Sequence, residues 1–401
     1  MSTEGQRFSK SRLIDSYRSA FPASDRSVIE PICWKISKEV FKGAWRFPAP
    51  KVSSSNGNSI YYFKDVETEI VVRKIDNNIK KSYNIKSSNK DKLIQQTIHL
   101  LKEPIPKYII RLDIRNFFGS FDPSQLLLRL SQEEKVSDET VNLLKALLET
   151  TSLSGSQGLP RGLPISSTLS EWRFQEVDRK IRNLDGVYYY GRFVDDMLIF
   201  AYENPRSIVK RIESILDVNG FSLNYESEKH TTISVVDKAE PGREVFSYLG
   251  YSFSVRCSSD DSDSLEVRVA ENKIKKIKSR IIKALLSFGG NSDYTLLKNR
   301  IRYLTGHYPV YRVGIKREGL VGGMRCAYPH VSHIEQLKDL DDFKAKALYS
   351  GKRSFARKAV GKLSSQQKRE IAKISFQKAW EWNKRYMWSG SEITRIAGVF
   401  K

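Results

Sequence analysis

Two dense runs of β-forming residues, 188–194 (YYYGRFV) and 197–201 (MLIFA), flank an acidic pair, Asp195 and Asp196. Apolar and aromatic residues at that density predict two buried strands, with the pair at the tip of the hairpin between them. A second compact strand is predicted over 108–114 (YIIRLDI), with one acid, Asp113, near its end. Further strands are expected over 69–75 (EIVVRKI), 221–225 and 231–235, and one more over 245–255 (VFSYLGYSFSV).

Between these runs the apolar spacing changes to that of helices. Residues 92–103 read as a helix. Asp122 followed by Pro123 forms a helix start, an N-cap with proline at the first helical position. Helix is then expected through 126–148, with a break near 135–137. A turn-rich loop, 155–164 (GSQGLPRGLP), leads into a helix over 165–184, where Ile165, Leu169, Trp172, Val177, Ile181 and Leu184 approximate one face. Residues 207–220 predict a helix closed by Gly220. From Glu271 onward the pattern is helical, with Ile274, Ile277, Ile281, Ile282 and Leu285 as a stripe, and a second helix follows over 296–304.

Charge changes this picture. Sixty-eight Lys and Arg face 46 Asp and Glu, a net charge of +22, which favours a polyanionic partner, nucleic acid before acidic membrane. One basic cluster, Arg73, Lys74, Lys80, Lys81, Lys86, Lys90 and Lys92, reads equally as a phosphate-facing surface or a solvated face. In residues 344–388, thirteen Lys and Arg stand against two Glu. They are interleaved with Phe355, Phe376, Trp380, Trp382, Tyr386 and Trp388, an arrangement suited to phosphate contact with base stacking, or to helices whose aromatics are core. The acidic loop 258–264 lacks the glycine and terminal glutamate of a calcium loop and reads as a solvated tip.

Cys33, Cys257 and Cys326 are far apart, without CxxC or histidine spacing, which points to reduced thiols and away from structural zinc. The polar N-terminus and the lack of any long apolar run predict no signal peptide and no membrane span, hence a cytoplasmic protein.

The chemistry rests on the acids. Two neighbouring carboxylates at the edge of a core repel and cost desolvation unless a cation sits on them, and hard divalent cations such as Mg²⁺ prefer oxygen ligands. Bringing Asp113 beside Asp195 and Asp196 would assemble a carboxylate cluster for two such ions, the arrangement used for in-line phosphoryl displacement.

Five stretches occur in order: LDIRNFFGSFD (112–122), QGLPRGLPISSTLSE (157–171), GRFVDDM (191–197), LNYESEKHT (223–231) and YLGYSF (248–253). Together they resemble the successive palm motifs of reverse transcriptases. GLPRGLPISSTLSE, with the later RIRYLTGHYP and GGMRCAYPHVSHI, looks like the bacterial abortive-infection and defence-associated members, and the chain's size resembles the smaller enzyme of two-reverse-transcriptase antiphage systems.

The resemblance implies an α+β, right-hand polymerase fold. Residues 1–107 would be an N-terminal extension and fingers, 108–256 the palm, 265–345 a helical thumb and connector, and 346–401 a basic helical C-terminal extension. It implies two Mg²⁺ ions, with Mn²⁺ as an alternative, on Asp113, Asp195, Asp196 and the Ile114 carbonyl. Lys229 would protonate the leaving pyrophosphate. Phe118 would act as the gate that excludes a 2′-hydroxyl, and Arg161, Gly162 and Lys90 would complete the dNTP-binding set. Leu249, Gly250 and Tyr251 would grip the primer; Lys273, Lys276 and Arg280 would follow the nucleic-acid backbone.

Two residues depart from the family pattern. Phe193 stands where a tyrosine is usual, and Arg161 where a glutamine is usual, placing a fixed positive charge in the nucleotide region. The implied activity is RNA-directed DNA synthesis from dNTPs on a cognate noncoding RNA, in antiphage defence. The implied partners are that RNA, the DNA product, a second reverse transcriptase subunit or a second copy of the chain, and no membrane. Two alternatives use the same residues: template-independent or protein-primed DNA synthesis, and an RNA-binding scaffold with a vestigial site.

Overall fold

In a computed structural model of the chain, the described residues are 3–20, 25–55, 57–103, 105–226, 230–235, 243–256, 265–312, 315–349 and 360–400. Lys229, Cys257, Phe355 and the acidic loop 258–264 lie outside them. The chain divides into two units, Met1–Leu93 with Ile105–Val236, and Ile94–Pro104 with Asp237–Lys401.

In the first unit, α1 (Lys10–Ala20) and α2 (Arg26–Phe41) precede a hairpin of β1 (Lys51–Ser55) and β2 (Asn58–Tyr62), then α3 (Val66–Ser82). Helix α4 (Lys90–Lys102) spans the division in sequence. There follow β3 (Lys107–Asp113), α5 (Pro123–Gln132), α6 (Asp138–Leu153), α7 (Pro164–Arg182), β4 (Val187–Phe193), β5 (Asp196–Ala201), α8 (Pro205–Val218) and β6 (Thr231–Val235). The four strands β3 to β6 form one antiparallel sheet in the order β4-β5-β3-β6, which makes β5 and β3 its centre. Met197, Leu198, Ile199, Phe200 and Ala201 of β5 are fully buried. Burial of each large side chain among them contributes on the order of 1.5–3 kcal/mol.

The expected break near 135–137 is the gap between α5 and α6. Asp122 caps α5 by accepting from the Ser124 N–H, with Pro123 at the first turn. Ser137 caps α6 through the Thr140 N–H.

The strand expected over 69–75 is instead part of α3. Asp65 accepts from the Thr68 N–H, Glu67 and Glu69 occupy the first turn, and Lys80 and Lys81 the last, so both ends of the helix dipole are complemented. The β-branched residues of that run, with Ile79, are buried on a helical face. Residues 221–225 form no strand either. Leu223 makes only an isolated bridge to Ile114, and the segment spends its backbone on the end of β3.

Part of the basic cluster is turned inward. Lys74 is buried and donates to the Gly5 carbonyl (2.9 Å) and Asn78 Oδ1 (2.7 Å). Burial holds its ammonium down to about 8. Arg73 pairs with Glu69, and Lys80 with the buried Asp76. Lys81, Lys86 and Lys92 remain exposed.

In the second unit, β7 (Arg243–Tyr248), β8 (Tyr251–Arg256) and β9 (Leu265–Val269) form an antiparallel sheet in that order. The single strand expected over 245–255 is thus a hairpin. Leu249 and Gly250, at φ 47° and 84°, fold the chain back in a two-residue turn. Helices α9 (Glu271–Asn291) and α10 (Tyr294–Thr305) follow, then the hairpin of β10 (Tyr308–Arg312) and β11 (Ile315–Gly322). The short α11 (Met324–Ala327), α12 (Glu335–Tyr349), α13 (Ser365–Ala372), α14 (Phe376–Glu381) and α15 (Gly390–Ala397) complete it. Ile274, Ile281, Leu285 and Phe288 of α9 pack with Leu297 and Ile301 of α10 and Leu340 of α12. The aromatics of the basic C-terminal stretch divide. Phe376 and Trp388 are buried and Trp380 and Tyr386 pack against the same cores, while Trp382 is 68% exposed. Among the described residues no helix is long and apolar enough to cross a membrane.

Candidate active site

Antiparallel pairing places Asp113, the last residue of β3, opposite Asp196, the first of β5, so both side chains share one face of the sheet. The turn from β4 to β5 consists of Val194 and Asp195, since Phe193 pairs directly with Asp196. Val194 holds φ 60°, a left-handed conformation that a β-branched residue adopts only under constraint. The Ile114 N–H donates to the Asp195 carbonyl (3.0 Å), fastening the turn to the chain just after Asp113. Three acids that lie 82 and 83 residues apart in sequence are thereby drawn to one sheet end.

Side chains that the sequence analysis assigned no role hold this arrangement. Asn224 donates from its backbone to the Asp113 carbonyl (2.8 Å) and from Nδ2 to Asp113 Oδ1 (3.1 Å), while Asp113 itself is buried. Arg111 donates from Nε and Nη2 to the two oxygens of Asp196, at 2.9 Å each.

Beneath the turn lies a second ion network. Arg192 of β4, 5% exposed, donates to both oxygens of Asp178 (2.8 Å each) and both of Glu171 (3.1 and 2.8 Å), the two acids of α7. Its Nη1 also donates to the Val194 carbonyl at 2.8 Å. The Tyr190 hydroxyl donates to Asp178 as well. Burial pushes the Glu171 carboxyl up, against the pull of Arg192. Burial opposes the charge on Arg192, yet the hydrogen bond and charge of Asp178 keep its guanidinium above the ordinary value. The sequence does carry a signal for Arg192, a cation inside an otherwise apolar strand, which demands a buried partner.

The loop before α7 builds the neighbouring wall. Gly158, at φ +67°, lies so close to the 117–120 turn that a Cβ would stand 2.4 Å from the Phe118 carbonyl. Leu159 N–H donates to that same carbonyl (2.9 Å). On the other side Tyr61 N–H donates to the Arg161 carbonyl (2.7 Å), and Gly162, at φ +101°, leaves no room for a Cβ beside the Tyr61 carbonyl. Arg161 is thus set with its guanidinium 5.9 Å from the centre of the Phe118 ring, and its Nη2 donates to Asn116 Oδ1 (3.1 Å). A cleft of about 170 Å³ opens there, lined by Ser59, Tyr61, Asn116, Gly119, Gln157 and Arg161 among others.

The two adjacent phenylalanines part company. Phe117 is buried in an aromatic cluster with Phe121, Phe174 and Phe221, at centroid distances of 5.1 to 6.1 Å, whereas Phe118 is half-buried. Lys90 opens α4, half-buried, and is not part of the cleft lining.

Within the second unit, the Leu249–Gly250 turn is tied to the start of α9 by the Ala270 N–H donating to the Gly250 carbonyl (3.0 Å). Tyr251 is buried edge-on to Tyr328. Lys273 and Lys276 are exposed on α9, but Arg280 lies with its guanidinium 5.8 Å over the Phe400 ring.

All donors that converge on the sheet end are hard oxygen groups, which suits Mg²⁺. Among the described residues, however, no trio of His, Cys, Asp or Glu side chains is grouped to hold a metal ion, and the Asp196 oxygens face Arg111. The donor set that fits a divalent ion is therefore Asp113 with Asp195, adjoining the Ile114 backbone.

Comparison with known proteins follows this geometry. A retron Ec83 reverse transcriptase of Escherichia coli is 22% identical over 208 residues, 46% of this chain and 62% of that protein, so the chain spans about three fifths of its length. Telomerase from Candida albicans, in complex with a fragment of telomeric RNA, aligns over 80% of this chain and 57% of its own at 13% identity and a TM-score of 0.35. Apo telomerase from Candida tropicalis aligns over 55% and 54% at 12% identity and the same score. Residues 62–253, just under half of the chain, match the family described as reverse transcriptase (RNA-dependent DNA polymerase), and they contain Asp113, Phe118, Arg161, Asp195 and Asp196.

Proposed function

We propose that this chain is an RNA-directed DNA polymerase that extends a primer with dNTPs. One observation carries the reading: Asp113, Asp195 and Asp196 meet at the end of one sheet, inside the stretch that matches the reverse transcriptase family. Asp113 and Asp195 would hold divalent ions, assisted by the Ile114 carbonyl, with Asp196 completing the acidic set. When bound, such ions lower the pKa of the attacking 3′-hydroxyl and offset charge on the leaving oxygens.

The remaining work falls to this chain's own residues. Phe118 presents a ring edge that leaves a 2′-hydroxyl neither space nor a hydrogen-bond partner, which selects dNTPs. Arg161, fixed by its backbone and by Asn116, offers a permanent positive charge to phosphate oxygens, with Gly162 keeping the loop close and Lys90 adding charge nearby. Lys229 is assigned the proton for the leaving pyrophosphate.

In this reading residues 1–107 are an extension and fingers, 108–256 the palm, 265–345 the thumb and connector, and 346–401 a basic extension. Leu249, Gly250 and Tyr251 grip the primer, and Lys273, Lys276 and Arg280 track the backbone. The likeness to a retron enzyme and the defence-type motifs support service in antiphage defence with a cognate noncoding RNA, in the cytoplasm, beside a second reverse transcriptase subunit or a second copy of the chain.

The test incubates the purified protein, with its co-purifying nucleic acid, with Mg²⁺ and single dNTPs. RNase-sensitive, sequence-restricted incorporation that disappears in Asp195→Asn/Asp196→Asn is the expected result. RNase-resistant incorporation would point to untemplated or protein-primed extension, and none at all to an RNA-binding scaffold.

A further inference from the structure

Three carboxylates meet at the sheet end, yet one of them is already engaged. Arg111 lies two residues before Asp113 on β3 and pairs across the sheet with Leu198, two residues after Asp196. Strand period therefore puts Arg111, Asp113 and Asp196 on one face, with Arg111 and Asp196 as diagonal neighbours within reach of a long side chain. The contact is a closed fork, Nε to Oδ1 and Nη2 to Oδ2 at 2.9 Å, and each side chain is only 14% exposed. Parallel hydrogen bonds between charged groups in such shelter are the strongest geometry this pair can adopt. Asp113, by contrast, is held through a neutral amide, Asn224.

We propose that Arg111 is a positioning residue that holds Asp196 away from the metal ions, so that the site binds them on two carboxylates rather than three. This rests on the polymerase reading of the same site. The fork cancels one of three adjacent negative charges, which lets the sheet end fold without bound metal. It also fixes the first residue of β5, and with it the turn that carries Asp195. The cost is weaker attraction for cations, because a guanidinium near a divalent ion repels it.

The chemistry predicts opposite effects on affinity and turnover. Arg111→Gln removes the cation and frees Asp196, so the protein without nucleotide should bind Mn²⁺ about tenfold tighter or more. Its dNTP incorporation should nevertheless fall, because the freed carboxylate competes for ions that Asp113 and Asp195 should share. Arg111→Lys keeps the charge without the fork and should bind Mn²⁺ close to the parent.

Mn²⁺ binding is measured by the electron paramagnetic resonance of the free ion during titration of the full-length protein, with circular dichroism confirming the fold. Arg111→Gln/Asp196→Asn is the control, since removing the freed carboxylate should return affinity toward the parent. Unchanged Mn²⁺ affinity in a folded Arg111→Gln overturns the proposal while leaving the polymerase reading standing. Parent-level binding in Asp113→Asn/Asp195→Asn defeats the metal site itself, and the proposal with it.

Discussion

Arg192 offers the sharpest test of how the candidate site is supported. Its guanidinium is almost wholly buried and distributes its donors over Asp178, Glu171 and the Val194 carbonyl. In Arg192→Met the aliphatic stem is roughly replaced, but two sheltered carboxylates lose their counter-charge and a turn carbonyl loses its donor. Removing one partner of a buried ion pair costs about 3–5 kcal/mol, and an orphaned carbonyl about 1 kcal/mol more. Against a total stability of about 5–15 kcal/mol this is severe without being prohibitive. The same change releases Val194, whose left-handed backbone costs on the order of 1–3 kcal/mol and persists only while its surroundings impose it. Asp195 should then lose its position.

Urea unfolding of the full chain, followed by circular dichroism, reads the stability, and single-dNTP incorporation reads the turn. A companion variant, Arg192→Met/Glu171→Leu/Asp178→Leu, removes the whole ion network; its stability should recover toward the parent, since apolar replacements of buried ion pairs are often neutral. Its incorporation should stay low, because nothing holds the Val194 carbonyl. If Arg192→Met unfolds within about 1 kcal/mol of the parent and incorporates dNTPs normally, the reasoning is wrong.

Other outcomes follow from single contacts. Glu171 has its carboxyl raised by burial, so its contribution to stability is full below the unfolded value near 4.5 and is lost as pH rises through the higher folded value. The stability gap between the parent and Glu171→Gln, measured by urea titration from pH 4 to 8, should therefore move in favour of the variant as pH increases. Lys74 has the reverse sense: its folded value is lowered to about 8 from 10.5, so the parent should gain stability over Lys74→Met as pH rises from about 8 toward 10.5. Gly158→Ala forces a methyl against the Phe118 carbonyl at positive φ and should cost about 1–3 kcal/mol in the same assay, with a raised KM for dNTPs. Phe118→Val should narrow the discrimination between dNTP and NTP, read as the ratio of their kcat/KM values.

Local period made most elements legible in the sequence. The β4–β5 hairpin, α5 with its Asp122 cap, the break before α6, and α7 all follow from spacing and end signals within a few residues. The failures have separate causes. The run 69–75 contains enough β-branched residues for a strand, and only the caps at Asp65 and in the last turn of α3 decide for helix. In 245–255 the apolar run continues through the turn, and Leu249 is an unusual residue for a left-handed position, so one strand was expected where a hairpin stands. Residues 221–225 have strand composition, but their bonding is spent on the chain around Asp113.

The candidate site shows the same division. Its acids and Phe118 are marked by order and spacing, whereas Arg111, Asn224 and the Arg192 network depend on which strands pair and in what register. That is a long-range property. A residue two places before an acid acquires meaning only once the strand bearing its partner is placed beside it.

The bond between the Tyr61 amide and the Arg161 carbonyl joins the β1–β2 hairpin to the loop before α7 through main chain alone. Such a joint is indifferent to side-chain identity on the hairpin, apart from the close approach at Gly162. The exposed surface of β1, with its serines, can therefore diverge freely under selection while Arg161 keeps its station. Variation in that hairpin would then alter what the protein's rim meets without altering the charge it presents inside the cleft.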